Sequence, residues 1–214
     1  MLTIQSFTFN PFQENTYIIF NENKEAIIID PGMYAEEEFD IFFAFLTQNS
    51  LRPTLLLNTH THLDHVFGNA AVLRKYPIPF GFHIKDKPVF DAASSAGAMY
   101  GMVFEKSPEP TLYLEETEEI LLGDESFKVL LTPGHSPGSV CFYHKNQDFL
   151  ISGDVLFHLS IGRSDFPGGN YDTLMNSIHS TLMALPDQTK VYSGHGPHTH
   201  IGFERMNNPF ITQR

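Results

Sequence analysis

Short apolar blocks separated by polar stretches predict strands and a helix in the first part of the chain. Two β-branched and aromatic runs, Thr16–Phe20 and Ala26–Ile29, flank polar residues 21–25 and predict a hairpin. The turn signal Asp30-Pro31-Gly32 ends the second of these strands. Apolar side chains then recur at helical spacing over Glu36–Gln48, which predicts an amphipathic helix.

The rest of the chain continues in the same way and indicates a mixed α/β sandwich. Further strands are predicted at Thr54–Leu57, Pro79–His83, Glu119–Leu122, Phe127–Leu131, Val140–His144, Phe149–Ser152 and Lys190–Tyr192. Further helices are predicted at Val66–Lys75, Lys87–Tyr100 and Asp172–Leu185. Strands and helices come first, then a run of strands, then a helix and a strand, which favours a sandwich over a simple parallel wound sheet. We see no long linker, so we expect one domain over residues 1–214.

Composition narrows the classes of partner. Lys and Arg total 13 against 25 Asp and Glu, a net charge of −12 that argues against a nucleic-acid partner. No apolar run approaches the roughly 20 residues that span a bilayer, and Met1–Asn10 does not have the pattern of a signal peptide. The single Cys141 excludes an intrachain disulfide. We therefore expect a cytoplasmic protein with a small-molecule partner; the oligomeric state stays open.

Three imidazoles and a carboxylate lie within the segment Thr59–His65, directly after a predicted buried strand. If the segment is extended, His60 and His62 point to the same side. Asp64 and His65 then follow where the chain turns into a helix, so one loop can direct all four groups to one point. Neutral imidazole and carboxylate are ligands that zinc prefers. The alternative is a surface histidine cluster without a metal, but the preceding buried strand favours the metal site.

Three later positions share a pattern with this segment. His135, Asp154 and His195 each follow an apolar strand and stand next to a glycine, which lets the backbone approach closely. Strand ends in α/β proteins are common places for sites, and four strand ends that all deliver ligand-type residues strengthen the case for a metal centre. Cys141 lies inside the predicted strand Val140–His144 and is expected to be a core residue rather than a nucleophile.

The His-x-His-x-Asp-His segment with these three later residues, in this order, resembles the metallo-β-lactamase-fold hydrolases. The resemblance spans the chain from the first hairpin to the last histidine and implies a four-layer αβ/βα sandwich with a binuclear metal site at one edge. It implies one metal held by His60, His62 and His135, a second by Asp64, His65 and His195, and a bridge by Asp154. It also implies two divalent ions, zinc first with iron or manganese as alternatives, and a water or hydroxide between them as the nucleophile, oriented by Asp64 and Asp154.

Within that family, residues 153–165 look most like glyoxalase II, the hydroxyacylglutathione hydrolases. This likeness implies a thioesterase in which Arg163 contacts the thiol portion of the substrate; Asp165 replaces a tyrosine-type contact, and His158 lines the pocket. The alternative is that Arg163 pairs with Asp165 and touches no substrate. The 19 residues after His195 resemble the short bacterial branch, in which the glutathione contacts of a helical C-terminal domain are missing.

Other reactions remain open within the same fold. Persulfide dioxygenases use one non-haem iron, and His60, His135 and Asp154 could supply the two histidines and one carboxylate that such iron prefers. A β-lactam hydrolase ranks lower because the N-terminus does not have the pattern of a signal peptide. A non-catalytic metal-binding module ranks last, because all seven ligand positions are filled.

Overall fold

The computed structural model describes residues 1–116 and 119–212, and their strands form two large sheets and a short ribbon. The first sheet has the spatial order β1 (Thr3–Phe9), β2 (Glu14–Phe20), β3 (Glu25–Ile29), β4 (Arg52–Leu57), β5 (Phe80–His83) and β6 (Leu112–Leu114). The second has the order β14 (Thr199–His200), β13 (Lys190–Ser193), β10 (Phe149–Gly153), β9 (Val140–His144), β8 (Glu125–Leu131) and β7 (Glu119–Leu122). The ribbon pairs β11 (Leu156–Phe157) with β12 (Ser160–Ile161).

The helices lie between and after these strands. They are α1 (Glu36–Gln48), α2 (Leu63–Val66), α3 (Asn69–Lys75), α4 (Lys87–Met99), α5 (Tyr171–Ser177), α6 (Ile201–Asn207) and α7 (Pro209–Thr212). Within the described ranges, no helix combines the length and the apolar character that crossing a bilayer requires.

Three apolar clusters show that the molecule has four layers. Ile27 and Ile29 of β3 pack towards Phe127 and Phe142 of the second sheet and form the core between the sheets. Ile28 points the other way, into a cluster with side chains of α1, α3 and α4. The outer face of the second sheet packs on α5, α6 and α7. Because both sheet faces are covered, the central strands are continuous apolar runs, and the predicted four-layer αβ/βα sandwich is confirmed.

Parallel pairing brings several strand ends to one edge of the sandwich. β3 and β4 run parallel in the first sheet. β10 and β13 run parallel in the second sheet, and β8 shares their direction because both β8 and β10 pair antiparallel with β9. The two sheets are joined at this edge, where Val140 N donates to Thr59 O at 2.9 Å. The segments that follow β4, β8, β10 and β13 therefore meet there.

Two predicted helices differ in the structure. The helix predicted over Val66–Lys75 is interrupted after Val66, where α2 ends, and α3 begins at Asn69. Between them, Gly68 N donates to Pro31 O at 2.7 Å instead of to a carbonyl of the preceding helical turn. An added Cβ at Gly68 would lie 2.7 Å from that same oxygen, so the close approach needs glycine. The helix predicted over Asp172–Leu185 is α-helical only to Ser177 and continues as a π-helical turn to Leu182.

Candidate metal centre

Seven side chains from four strand ends converge at the shared edge. His60 and His62 lie after β4, and Asp64 and His65 lie on α2. The remaining three, His135, Asp154 and His195, follow β8, β10 and β13. The structure therefore brings all seven predicted ligands together; their metal-binding role stays a prediction.

The first group, His60, His62 and His135, is called the first trio below. His62 Nδ1 lies 2.8 Å from His135 Nε2, which lies 3.1 Å from His60 Nε2. Three ring nitrogens that face one another at these distances are suited to share one cation. His60 and His135 are buried, whereas His62 is partly exposed, so the first trio opens to solvent on one side.

The second group, Asp64, His65 and His195, is called the second trio below. Asp64 Oδ2 lies 3.3 Å from His195 Nε2 and 3.8 Å from His65 Nε2. In both trios, the three possible ligand atoms lie within 4.8 Å of one another. His65 is fully buried, while the side chains of Asp64 and His195 retain some exposure.

Asp154 lies between the two trios. Its Oδ2 is 3.5 Å from His135 Nε2 and 3.4 Å from His195 Nε2, and its Oδ1 is 3.5 Å from His65 Nε2. One carboxylate therefore faces imidazoles of both groups. The backbone permits this closeness, since an added Cβ at Gly194 would lie 2.1 Å from Asp154 Oδ1. This agrees with the expectation that glycine allows close approach at the strand ends.

Hydrogen bonds on the far side of the rings determine which nitrogens face inward. His135 Nδ1 donates to Arg163 O at 2.7 Å, and His195 Nδ1 donates to Phe12 O at 3.0 Å. A carbonyl can only accept, so in each neutral ring Nε2 carries the lone pair and points into the cluster. A ring nitrogen fixed in this way is the usual arrangement behind a metal-binding histidine.

Asp30 and Thr59, neither of which is among the predicted site residues, orient two further rings. Asp30 is buried; its Oδ2 accepts from Thr59 Oγ1 at 2.5 Å and from His65 Nδ1 at 3.1 Å. Because the Thr59 hydroxyl donates to Asp30, its oxygen can accept from His60 Nδ1 at 3.1 Å. Asp30 directly follows the buried strand β3, so the strand-end pattern was the signal that could have found it.

Glu14 lies behind His65 and was also missed. It is fully buried at the start of β2, and its Oε1 is 3.9 Å from His65 Nδ1. Burial raises the pKa of Glu14 well above its ordinary value, against the opposing charge of His65. No sequence signal singled out this glutamate, because it stands in an ordinary strand.

Unpartnered polar atoms test whether these residues fit metal ions. Within the described residues, three buried side-chain atoms have no hydrogen-bond partner: Glu14 Oε1, which lies behind His65, and His65 Nε2 and Asp154 Oδ1 inside the cluster. Buried polar atoms are almost always paired, so two orphans that face each other inside a cluster of metal-type ligands indicate a missing partner. The donor set, imidazole nitrogens and carboxylate oxygens, suits zinc and iron. The residues present therefore fit a metal pair.

The electrostatics of the two trios differ. Burial, together with the neighbouring His135 ring, lowers the pKa of His62 to about 3, and burial also lowers the pKa of His60 well below its ordinary value, so these two rings are neutral. Burial also lowers the pKa of His195, but the carboxylates of Asp154 and Asp64 outweigh it and raise the value to about 10. Burial opposes ionisation of Asp154 as well, yet His65 and His195 hold its pKa well below the ordinary value. In the metal-free protein, the second trio therefore holds protons that cations must displace.

The residues predicted to contact substrate lie in two different places. Arg163 donates to Asp165 through Nε at 2.9 Å and through Nη2 at 2.7 Å, so the alternative pairing is the one present. Both side chains are exposed, and the guanidinium also lies 4.4 Å from the centre of the Phe166 ring. His158 is stacked on Phe203 of α6, with ring centres 5.1 Å apart. Substrate contact by these three residues stays a prediction.

Aromatic rings border the open side of the centre and were not predicted. The Phe166 ring lies 5.1 Å from the His62 ring and 6.1 Å from the His135 ring. The Phe157 ring lies 6.1 Å from the His195 ring. Both phenylalanines are partly exposed, so a bound molecule would meet apolar surface beside the two trios.

Comparison with known proteins agrees with the fold. The model of the metallo-beta-lactamase superfamily matches residues 9–195. The hydroxyacylglutathione hydrolase GloC of Haemophilus influenzae is 36% identical over 219 residues, which cover 100% of both chains. The BLEG-1 B3 metallo-beta-lactamase superposes with a TM-score of 0.91 at 37% identity, covering 99% of this chain and 100% of that one. TTHA1623 in a di-iron-bound form superposes with a TM-score of 0.87 at 38% identity, covering 96% and 99%. The chain belongs to the metallo-beta-lactamase superfamily.

Proposed function

We propose that the protein is a binuclear metal-dependent hydrolase that cleaves thioesters of small molecules. The first trio would hold one metal and the second trio the other, with Asp154 between them. The observation that carries the proposal is this shared carboxylate, whose two oxygens face imidazoles of both groups at 3.4–3.5 Å. A bound metal pair would lower the pKa of water towards neutrality and polarise a scissile carbonyl.

The protein's own groups prepare the site for that reaction. Burial lowers the pKa of His60 and of His62, so the lone pairs of these two rings stay unprotonated at neutral pH. Asp64 and Asp154 are carboxylates at neutral pH, since the pKa of each is lowered by neighbouring His65 against the effect of burial. Their oxygens can accept a hydrogen bond from the attacking water and so fix its orientation.

The hydrogen bonds of the imidazoles favour a thioester over an amide. His135, His195, His65 and His60 each have one nitrogen in the cluster and the other engaged by Arg163 O, Phe12 O, Asp30 or Thr59. With metals bound to the inward nitrogens, none of these four rings would be free to protonate a leaving group. A thiol has an ordinary pKa of about 8.5 and leaves as the thiolate without help, whereas an amine needs a proton. The full-length similarity to GloC, a hydroxyacylglutathione hydrolase, supports the same class of substrate.

The substrate side favours a thioester that need not carry glutathione. Asp165 pairs with Arg163, so a substrate carboxylate would have to compete with Asp165 for this guanidinium. Phe166 and Phe157 instead offer apolar surface next to the imidazoles. We infer that groups close to the scissile carbonyl contribute more to recognition than a distant peptide carboxylate.

Metal quantitation together with a substrate panel tests the proposal. The protein is purified from cells grown with zinc or with iron, its metal content is measured, and each form is assayed with lactoylglutathione and with a lactoyl thioester of N-acetylcysteamine. Two metals per chain and thiol release from both thioesters are expected. A chromogenic cephalosporin serves as the competing arm, because one structural relative is a B3 metallo-beta-lactamase. Turnover of the cephalosporin with no thiol release from either thioester would overturn the proposal.

A mononuclear iron dioxygenase is the second candidate, and one arrangement favours it. His135 Nε2 lies 3.1 Å from His60 Nε2 and 3.5 Å from Asp154 Oδ2, which places two imidazoles and a carboxylate side by side. This donor set is typical of non-haem iron oxygenases, and the similar chain TTHA1623 has a di-iron-bound form, so iron is a metal that this fold can hold. One iron per chain with oxygen uptake on a persulfide substrate would favour this candidate over the hydrolase.

A further inference from the structure

A buried carboxylate outside both trios ties together the two loops that form the first one. Asp86 is fully buried at the start of α4, and its side chain does not cap that helix. Its Oδ2 accepts from Thr61 N at 2.6 Å and from Thr61 Oγ1 at 2.8 Å. Its Oδ1 accepts from Gly138 N at 2.9 Å and from the Ser136 hydroxyl. Four donors from two separate loops therefore meet on one carboxyl group.

The partners of Asp86 are chain neighbours of the first trio. Thr61 stands between His60 and His62, and Ser136 directly follows His135. One loop comes from the first sheet and the other from the second, so the distance between their imidazoles depends on what joins them. We propose that Asp86 is a positioning residue that sets the spacing of the first trio and thereby the metal affinity of that half of the centre. The inference rests on the proposed metal-binding role of these histidines.

Other groups support the second trio, so the proposed effect of Asp86 on metal affinity should be confined to the first trio. His65 is oriented by Asp30, and His195 by the carbonyls of Phe12 and Gln13. Among the residues that the structure describes, Asp86 donates or accepts no hydrogen bond with a side chain of the second trio. A change at Asp86 should therefore act first on the metal of the first trio.

Replacement by asparagine removes half of the accepting capacity while keeping the shape. One oxygen becomes an NH₂ group, which then faces the donors of either Thr61 or the pair Ser136 and Gly138. The hydroxyls of Thr61 and Ser136 can rotate to accept from this group, but the backbone N–H of Thr61 or of Gly138 would then face another donor, and that loop should move away. Metal sites tolerate ligand displacements of only about 0.2 Å, so a small shift of either loop should be visible in metal binding.

The test is a metal titration of full-length protein without substrate. Metal-free wild type and Asp86→Asn are titrated with Zn²⁺ against a chromophoric chelator, and with Co²⁺ while the visible absorption is recorded. His62→Ala and His195→Ala identify which binding step belongs to which trio. We expect Asp86→Asn to lower the metal affinity of the first trio by about 10–100-fold and to change the metal affinity of the second trio by less than about threefold. The Co²⁺ spectrum of the first trio should change shape as its ligand geometry relaxes.

Two milder variants and a matched control separate positioning from general stability. Thr61→Val and Ser136→Ala each remove one hydroxyl donor, so they remain informative if Asp86→Asn does not fold, and each should weaken the same step by a smaller factor. Glu204→Gln is the control, because Glu204 is equally buried and accepts from Thr199, Leu159 and Asn208 without touching either loop. It should lower the melting temperature and leave both metal steps unchanged.

The outcomes distinguish this inference from the proposed function. Unchanged affinity at the first trio in Asp86→Asn, Thr61→Val and Ser136→Ala would overturn the positioning role, and so would equal weakening of both steps. A wild-type protein that binds no metal would overturn the proposed function itself. Metal binding without thioester turnover would overturn only the substrate class and leave the role of Asp86 standing.

Discussion

Replacing Asp154 with alanine removes a carboxylate that contacts both trios, and we expect it to weaken both metal sites together. Its oxygens lie 3.5 Å from His135 Nε2, 3.5 Å from His65 Nε2 and 3.4 Å from His195 Nε2. Loss of a group that only orients a metal ligand lowers metal affinity by about 10–100-fold. Removal of a shared ligand should exceed that, so we expect a loss of more than about 100-fold, or roughly 3 kcal/mol.

The same substitution has a pH-dependent effect in the metal-free protein. Burial lowers the pKa of His195, but Asp154 and Asp64 raise it to about 10. A raised folded-state pKa gives stability that is fully present below the unfolded-state value of about 6.5 and is lost as the pH rises through about 10. Removing one partner of a buried ion pair costs about 3–5 kcal/mol. Asp154→Ala should therefore destabilise the metal-free protein by that order near pH 6 and by much less near pH 10.

Two measurements check these expectations. Chelator competition gives both metal affinities, and urea unfolding of the metal-free wild type and variant at pH 6 and pH 10 gives the difference in free energy of unfolding. Asp124→Ala is the control, since Asp124 is exposed in the turn at the opposite end of β8 and should change neither quantity. Wild-type affinity for both metals in Asp154→Ala would refute the bridging role. An equal loss of stability at both pH values would refute the electrostatic reasoning.

Three further outcomes are expected. Zinc binding at pH 7 should release protons, because the carboxylates around His65 and His195 raise the pKa of both rings against the effect of burial; calorimetry in two buffers of different ionisation enthalpy measures this, and zero release would contradict it. Arg163→Ala should change kcat/KM for lactoylglutathione by less than about threefold, because Asp165 already holds the guanidinium in an exposed ion pair. A loss above tenfold would show that Arg163 binds substrate. Burial raises the pKa of Cys141 to about 12, so the folded protein should resist iodoacetamide and react only in urea; rapid alkylation when folded would contradict this.

Strand ends made much of the site predictable. His135, Asp154 and His195 were identified because each follows an apolar strand, and parallel pairing does bring those ends to one edge. Asp30 meets the same criterion, since it follows the buried Ile29. It was read only as a turn residue, because the Pro31 that follows gives a strong local turn signal. This one aspartate fits the local turn and also contacts distant residues of the site. The turn motif accounts for it fully at the level of sequence, so the motif gives no reason to predict the second role.

Other features had no local signal at all. The partners of Asp86 lie 25 and 50 residues away, so its role depends on how the two sheets meet. The break between α2 and α3 depends on Gly68 meeting Pro31, again a contact between distant segments. The first strand, β1, alternates weakly and packs Phe7 on the aromatic rings of α1, which only the folded chain reveals. Periodicity reports which face of an element is buried, but not which other element buries it.

The same distinction explains how the centre is supported. Asp30 belongs to the first sheet and orients His65 of the second trio, while Asp86 links the loop after β4 to the loop after β8. Asp30 also supports His60 of the first trio through the Thr59 hydroxyl, so of these two only Asp86 serves one trio alone, and Asp154 is the predicted ligand that contacts both. If so, substitution of Asp86 should affect mainly the metal of the first trio, while substitutions of Asp30 and Asp154 affect both metals. A buried carboxylate that supports one half of the centre gives a way to weaken one metal while the other is retained, which would separate one-metal from two-metal chemistry in the same ligand set.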